Sequence, residues 1–107
     1  MSCQHFTKDN FEEKVIKNSL PVMVDFWATW CGPCRMAGAV IDKLAQQYKD
    51  KLAVGKVNVD EEQELAQKYG VMSIPTVIFF KAGKELERIV GFPGKDGYEG
   101  VIKKLIK

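Results

Sequence analysis

The order of apolar and polar positions along the chain predicts strands that alternate with helices. Residues 21–28 (PVMVDFWA) are almost continuously apolar, which is typical of a strand buried on both faces. Residues 52–59 and 76–80 are rich in β-branched residues and predict two further strands. Residues 85–90 alternate in polarity, which favours a strand covered on one face, and the AGKE that leads into them predicts a hairpin turn.

Helical spacing of apolar residues fills the segments between these strands. Phe11, Val15 and Ile16 predict a first short amphipathic helix. Apolar positions from Met36 to Tyr48 keep helical spacing over more than three turns and predict a long helix. This alternation over the first two thirds of the chain indicates an α/β domain with a mixed sheet.

Two shorter helices are predicted in the second half of the chain. Asp60 and Gln63 have the spacing of a capping box, which predicts a helix that Gly70 ends. A last helix is predicted near the C-terminus, although the glycines at 97 and 100 weaken its start. Its apolar positions are Val101, Ile102, Leu105 and Ile106.

Composition narrows the class of protein. The chain has 107 residues, of which 46% are hydrophobic, and we expect one domain over residues 1–107. The net charge of +2 is nearly balanced and the lysines are interspersed with acids, which argues against nucleic acid as a main partner. We find no apolar stretch long enough for a signal peptide or a membrane span, and therefore expect a cytoplasmic protein with no membrane partner.

Residues 30–34 (WCGPC) carry the chemistry. They follow the first apolar strand and precede the long helix, where α/β proteins usually place their sites. Cys31 and Cys34 are spaced to close a small disulfide across the first helical turn. Gly32 lets the chain turn into the helix, and Pro33 suits this position because the N–H that it lacks would have no helical partner. Because a helix N-terminus stabilises a thiolate, we predict that Cys31 attacks and that Cys34, deeper and more buried, resolves.

A metal site is the alternative use of such a pair. Structural zinc needs four ligands, and the only other candidates are a lone Cys3 and a lone His5. Three cysteines are also too few for a secreted disulfide scaffold. Redox exchange is therefore favoured, no metal ligand is assigned, and Cys3 is interpreted as an incidental thiol.

The chain resembles the thioredoxin family along essentially its whole length. The resemblance rests on VDFWATWCGPC (24–34), MSIPT (72–76) and FKAGKELERIVGF (80–92), in the family's order and spacing. It implies a thioredoxin fold, with a central five-stranded mixed sheet, three strands parallel and two antiparallel, flanked by four helices.

The same resemblance implies a protein-disulfide reductase. Cys31 would attack a disulfide in a partner protein, and Cys34 would then resolve the mixed disulfide. A thioredoxin reductase would restore the dithiol, and the exchange needs no bound cofactor. We expect the protein to act as a monomer on disulfide-containing protein substrates.

Residues around the cysteines receive roles by this resemblance. Asp25 is an acid inside an apolar strand, so its pKa should be raised, and the resemblance assigns it proton transfer with Cys34. Lys56 on the next strand is expected near this acid.

The resemblance also implies a substrate-binding surface. A cis bond between Ile74 and Pro75 would offer the backbone of Ile74 to an extended substrate segment. Trp30 and Gly91 would complete the contact surface.

Two residues depart from the family pattern. Ala39 stands where the family commonly has a proline, and Arg35 replaces a lysine. Either change can alter the reduction potential or the fit to a reductase.

Two other functions are weighed. An oxidase or isomerase-like member is disfavoured by the Gly-Pro pair, and a non-catalytic module bound to another enzyme remains an alternative.

Overall fold

A central five-stranded sheet organises the computed structural model, which describes residues 3–107. Its strands are β1 (Gln4–His5), β2 (Val22–Trp27), β3 (Ala53–Asn58), β4 (Thr76–Lys81) and β5 (Lys84–Val90). The helices are a π-helix (Glu12–Ile16), α1 (Gly32–Gln47), α2 (Gln63–Lys68) and α3 (Lys95–Leu105).

The strand order β1-β3-β2-β4-β5 places β2 at the centre of the sheet. β3 runs parallel to both β1 and β2, whereas β4 is antiparallel to β2 and β5 is antiparallel to β4. The predicted mixed sheet with four flanking helices is therefore confirmed. Because both neighbours of β2 cover its edges, Asp25 lies between Lys56 on β3 and Val77 on β4.

The two faces of the sheet carry separate apolar cores. Successive residues of β2 point to opposite faces, so Met23 packs into one core and Val24 into the other. The first core also contains residues of α1 and α3, among them Ile41, Leu44, Tyr98 and Ile102. The second contains Phe6, Phe11, Phe26, Leu65 and Phe80.

The first helix is present but is wound differently from the prediction. The Lys17 N–H donates to the Glu12 carbonyl at 2.9 Å, an i to i+5 bond that defines a π-helix. Phe11 and Val15 are both buried. A pair of apolar residues four apart marks one buried face and does not distinguish a single α turn from a π turn.

The predicted capping box before α2 is wrong. α2 begins at Gln63 and the residue before it, Glu62, makes no side-chain cap. The Asp60 carboxylate instead accepts a hydrogen bond from the Trp30 indole N–H at 2.9 Å. Asn58 takes over the local role, since its side-chain oxygen accepts from the Asp60 N–H at 2.9 Å.

The hairpin and the last helix close the chain. Ala82 and Gly83, with φ of 54° and 81°, form the two-residue turn between β4 and β5 that AGKE predicted. α3 starts at Lys95, so it includes both glycines expected to weaken it, and Tyr98 is fully buried on it.

The two edges of the sheet differ in length and charge. β1 is only two residues long. β5 is seven residues long and is rich in charged side chains. These are Lys84, Glu85, Glu87 and Arg88.

Candidate active site

Cys31 and Cys34 form a disulfide at the start of α1. Cys31 is the residue that caps the helix, with non-helical backbone angles (φ −94°, ψ 110°). Its Sγ accepts a hydrogen bond from the Cys34 backbone N–H at 3.2 Å. A sulfur anion at Cys31 would meet this donor and the positive end of the helix dipole, both of which favour the thiolate.

The prediction that Cys34 is the more buried cysteine is wrong for this disulfide form. Both residues are 4% exposed. They share a small apolar cluster with Ala28, against which Val59 and Ile74 pack. The difference between the two sulfurs is therefore one of hydrogen bonding at the helix end rather than of exposure.

Gly32 and Pro33 occupy the first two positions of α1 and are exposed. Pro33 has no N–H, and at this end of a helix that group would have had no helical partner. Space around Gly32 is open, since an added Cβ would meet nothing within 4 Å. Both residues thus form an exposed turn between the two cysteines.

The loop before β4 lies against the cysteines. The Ile74–Pro75 peptide bond is cis, as the sequence resemblance implied. The Ile74 carbonyl oxygen is 3.9 Å from Cys31 Sγ. The Pro75 carbonyl accepts from the Gly91 N–H at 2.8 Å, and Gly91 has a φ of 90°, which favours glycine. The structure therefore brings all three predicted loop residues to the end of the sheet that holds the disulfide.

An apolar surface borders this loop. Trp30 is 67% exposed and is held by Asp60 through its indole N–H. Met72 is 94% exposed, and it lines a cleft of about 360 Å³ together with Trp30 and Ile74. Sequence reasoning missed Met72, whose signal was its position within the MSIPT segment.

Asp25 and Cys34 both line a second cleft, of about 590 Å³. The residue is 1% exposed, and neither carboxylate oxygen has a hydrogen-bond partner among residues 3–107. Burial raises the pKa of this carboxyl to about 7. The charge of Lys56 acts to lower it and that of Asp42 to raise it further. The expected raised pKa is thus present, and its main cause is loss of hydration.

Lys56 is beside Asp25 in the strand register but bonds elsewhere. Its Nζ lies 3.0 Å from Asp42 Oδ1 on α1, and the two form an ion pair. The Cys3 thiol donates to the same oxygen at 3.3 Å. Asp42 was not singled out from the sequence, where it is one more acid on the polar side of a helix.

The departures from the family pattern lie along the same helix. α1 continues without a break past Ala39, which lines the Asp25 cleft. The preceding Gly38 faces Lys56, since a Cβ there would lie 3.3 Å from Nζ. Arg35 donates to the Thr29 carbonyl at 3.3 Å.

His5 is exposed and lines the Asp25 cleft. Within residues 3–107, no three His, Cys, Asp or Glu side chains lie close enough together to hold a metal ion. None of the helices in this part of the chain has the length and apolarity needed to cross a membrane.

The fold and the dithiol define the class of protein, a thiol–disulfide oxidoreductase. The family model Thioredoxin matches residues 2–104. A thioredoxin of Griffithsia pacifica is 46% identical over 107 residues, covering 100% of this chain and 98% of the relative. Thioredoxin 1 of Nostoc sp. is 45% identical over 98 residues, or 92% of each chain. The chloroplastic M-type thioredoxin of Chlamydomonas reinhardtii is 52% identical over 78% of this chain and 59% of the relative.

The chain belongs to the thioredoxin family. It is a protein-disulfide reductase that uses the Cys31–Cys34 dithiol in thiol–disulfide exchange with partner proteins. A thioredoxin reductase recycles the dithiol, as for the family in general.

Proposed function

We propose that Cys31 is the attacking thiol of this reductase, Cys34 the resolving thiol and Asp25 the group that exchanges a proton with Cys34. The observation that carries the proposal is the hydrogen bond from the Cys34 N–H to Cys31 Sγ at the helix cap. The thiolate is the reactive form of a cysteine, and this donor favours it at Cys31 and not at Cys34.

The exchange proceeds in two substitutions at sulfur. The Cys31 thiolate bonds to one sulfur of the substrate disulfide, and the other substrate sulfur leaves as a thiolate that takes up a proton. Cys34 then attacks Cys31 Sγ and expels the second substrate sulfur. Two electrons pass to the substrate, the Cys31–Cys34 bond forms, and a reductase returns two electrons to restore the dithiol.

Asp25 supports the second substitution. Cys34 must lose its proton before it attacks, and the Asp25 carboxyl lines the same cleft. A pKa of about 7 lets the carboxylate accept that proton near neutral pH. Lys56 adjusts this acid by its charge from the neighbouring strand.

Substrates are proposed to dock on the surface formed by Trp30, Ile74, Pro75 and Gly91. Trp30 offers an exposed aromatic face. The Ile74 backbone, beside Cys31 Sγ, is available to an extended substrate segment. Gly32 and Pro33, both exposed, lie between the two cysteines on this surface.

The broader setting is also proposed. We propose a monomer of one domain over residues 1–107 that has no nucleic acid partner. The balanced charge supports the absence of nucleic acid, and the single sheet with its two cores supports one domain. A cytoplasmic location is part of the same proposal. Sedimentation and fractionation test these two points, and a dimer or an organellar pool would contradict them.

Single-cysteine variants test the assignment of roles. Cys34→Ser should accumulate a mixed disulfide between Cys31 and a disulfide-bonded test protein, because the first substitution proceeds and the second does not. Cys31→Ser should form none. Cys3→Ser is the matched control and should reduce the test protein at the rate of the unaltered chain.

The reduction potential separates the alternatives. A value of about −270 mV would agree with a reductant, whereas a value of about −180 or about −120 mV would indicate an isomerase or an oxidant. Trapping through Cys34 rather than Cys31 would overturn the assigned order. A chain with both cysteines replaced by serine that still supports its partner's activity would favour a non-catalytic module.

A further inference from the structure

The Asp42 carboxylate on α1 has two donors within hydrogen-bond distance. Its Oδ1 accepts from Lys56 Nζ at 3.0 Å and from the Cys3 thiol at 3.3 Å. The Lys56 side chain is only 18% exposed, compared with 37% for Asp42. The ion pair is therefore partly shielded from water, which makes it stronger than a pair on the open surface.

This ion pair competes with the contact that the sheet would otherwise favour. Asp25 and Lys56 are directly paired in the β2–β3 register. Even so, the Asp25 carboxylate has no hydrogen-bond partner in the described part of the chain. The Lys56 ammonium is turned to α1, where Gly38 leaves the space that it approaches.

We infer that Asp42 is a positioning residue, which holds the Lys56 ammonium against α1 and so keeps it from forming an ion pair with Asp25. The inference rests on the proposed role of Asp25 for its functional meaning. With Lys56 held away, the Asp25 carboxyl keeps a proton affinity suited to exchange with Cys34. Without Asp42, the ammonium is free to turn to Asp25 and stabilise the charged form.

Other groups around Asp25 bear on its titration. Cys34, Arg35 and Asp42 come from α1, and Lys56 comes from β3. His5 of β1 lines the same cleft. Tyr98 of α3 and Cys3 both have pKa values raised in part by the charge of Asp25. Only Lys56 and Asp42 among them are joined in an ion pair.

The test follows the Asp25 carboxyl directly, by ¹³C NMR of the side-chain carboxyl in the oxidised protein between pH 4 and 10. Asp42→Asn should lower the titration midpoint by roughly half to one pH unit, because a lysine charge comes nearer and an acidic charge is lost. Lys56→Met should raise the midpoint. Glu87→Gln is the matched control, since it removes an acid paired with Lys104 on the far strand β5 and should leave the midpoint unchanged.

The double variant D42N/K56M distinguishes positioning from a direct effect of charge. If Asp42 acts by holding Lys56, D42N should shift the midpoint less than half as far in the K56M background. An equal shift in both backgrounds, or no shift in D42N alone, would overturn the inference.

A rate measurement complements the titration. The pH at which reduction of a disulfide-bonded test protein is half-maximal should move down in D42N and up in K56M. The carboxyl titration does not depend on activity. An unchanged rate in Asp25→Asn would show that the proposed role of Asp25 is wrong. An unchanged carboxyl titration in D42N would show that the role of Asp42 is wrong, so the two failures are distinguishable.

Discussion

Burial of the Asp25 carboxyl makes the free energy of unfolding depend on pH. Its pKa is about 7 in the folded chain, and about 4 is usual for an exposed aspartate. The folded state thus binds the proton more tightly than the unfolded state does. Stability contributed by this group is fully present below about pH 4 and is lost as the pH rises to about 7.

Asp25→Asn should therefore stabilise the oxidised protein at pH 8 by roughly 2 to 4 kcal/mol, and the gain should shrink towards pH 4. Denaturant unfolding at a series of pH values measures both effects. Asp50→Asn, at an exposed position, is the matched control. A gain that does not vary with pH would show that the ionisation of Asp25 is not its cause.

The Cys3 thiol should be slow to react. Burial, and then the hydrogen bond to Asp42, raise the pKa of Cys3 to about 12. At pH 8 only about one thiol in ten thousand is then ionised. Alkylation of the oxidised protein by iodoacetamide should be at least about 100-fold slower than that of the same chain in denaturant, and a similar rate in both would contradict this.

The sequence predicts some residues of the site and not others. Asp25 could be predicted because it is an acid within an apolar strand, and Cys31 because it lies at the start of a helix. Asp42 gives no such signal, because its partners are 14 and 39 residues away along the chain. Tyr98 was not included in the predicted apolar face of α3. The spacing could have shown it, because Val101, Ile102 and Leu105 follow Tyr98 by three, four and seven residues, as on one face of a helix.

At the level of elements, a glycine in a strand and a glycine in a helix should respond in opposite ways to an added methyl group. Gly55→Ala on β3 places a Cβ that overlaps the ring of Phe6, which should cost about 1 to 3 kcal/mol of unfolding free energy. Gly100→Ala in α3 meets nothing within 4 Å and should stabilise by roughly 0.5 to 1 kcal/mol. Thermal or denaturant unfolding measures both, and a loss of stability in G100A would contradict the open surroundings of that position.

The ends of the four strands predicted from periodicity agree with the structure to within about one residue. Local irregularities of the chain were not predicted. The pattern at 21–28 corresponds to β2 at Val22–Trp27. β1 is too short to have a pattern of its own, since its two residues pair only with β3. The capping box failed because the Asp60 carboxylate has a partner 30 residues away, Trp30, which local spacing does not show.

The molecule as a whole gathers three loops around the disulfide. They precede α1, precede β4 and follow β5, and they bring Trp30, Ile74 and Gly91 to one end of the sheet. The meeting of these three loops was predicted from the resemblance to the thioredoxin family. No local sequence pattern indicates it, because the three segments are far apart along the chain. It also supplied the cis bond before Pro75, which local sequence would assign as trans.

Loss of the Trp30 ring should weaken protein substrates selectively. Truncation of an exposed aromatic at an interface centre costs on the order of 1 kcal/mol or more. Trp30→Ala should therefore raise KM for a disulfide-bonded test protein several-fold and leave the reduction of a small-molecule disulfide nearly unchanged. Leu86→Ala, at a 54% exposed apolar position on β5, is the control and should affect neither. Equal losses on both substrates would mean that the ring acts on the sulfurs themselves.

The two edges of the sheet affect whether copies of the protein associate at high concentration. Unpaired edge strands invite further strands to add, and this is a common route to fibrils. Here β1, two residues long, exposes few backbone groups at one edge, and the charged side chains of β5 disfavour the addition of a strand at the other. Both sheet edges of the described chain therefore disfavour polymerisation through the sheet at high concentration.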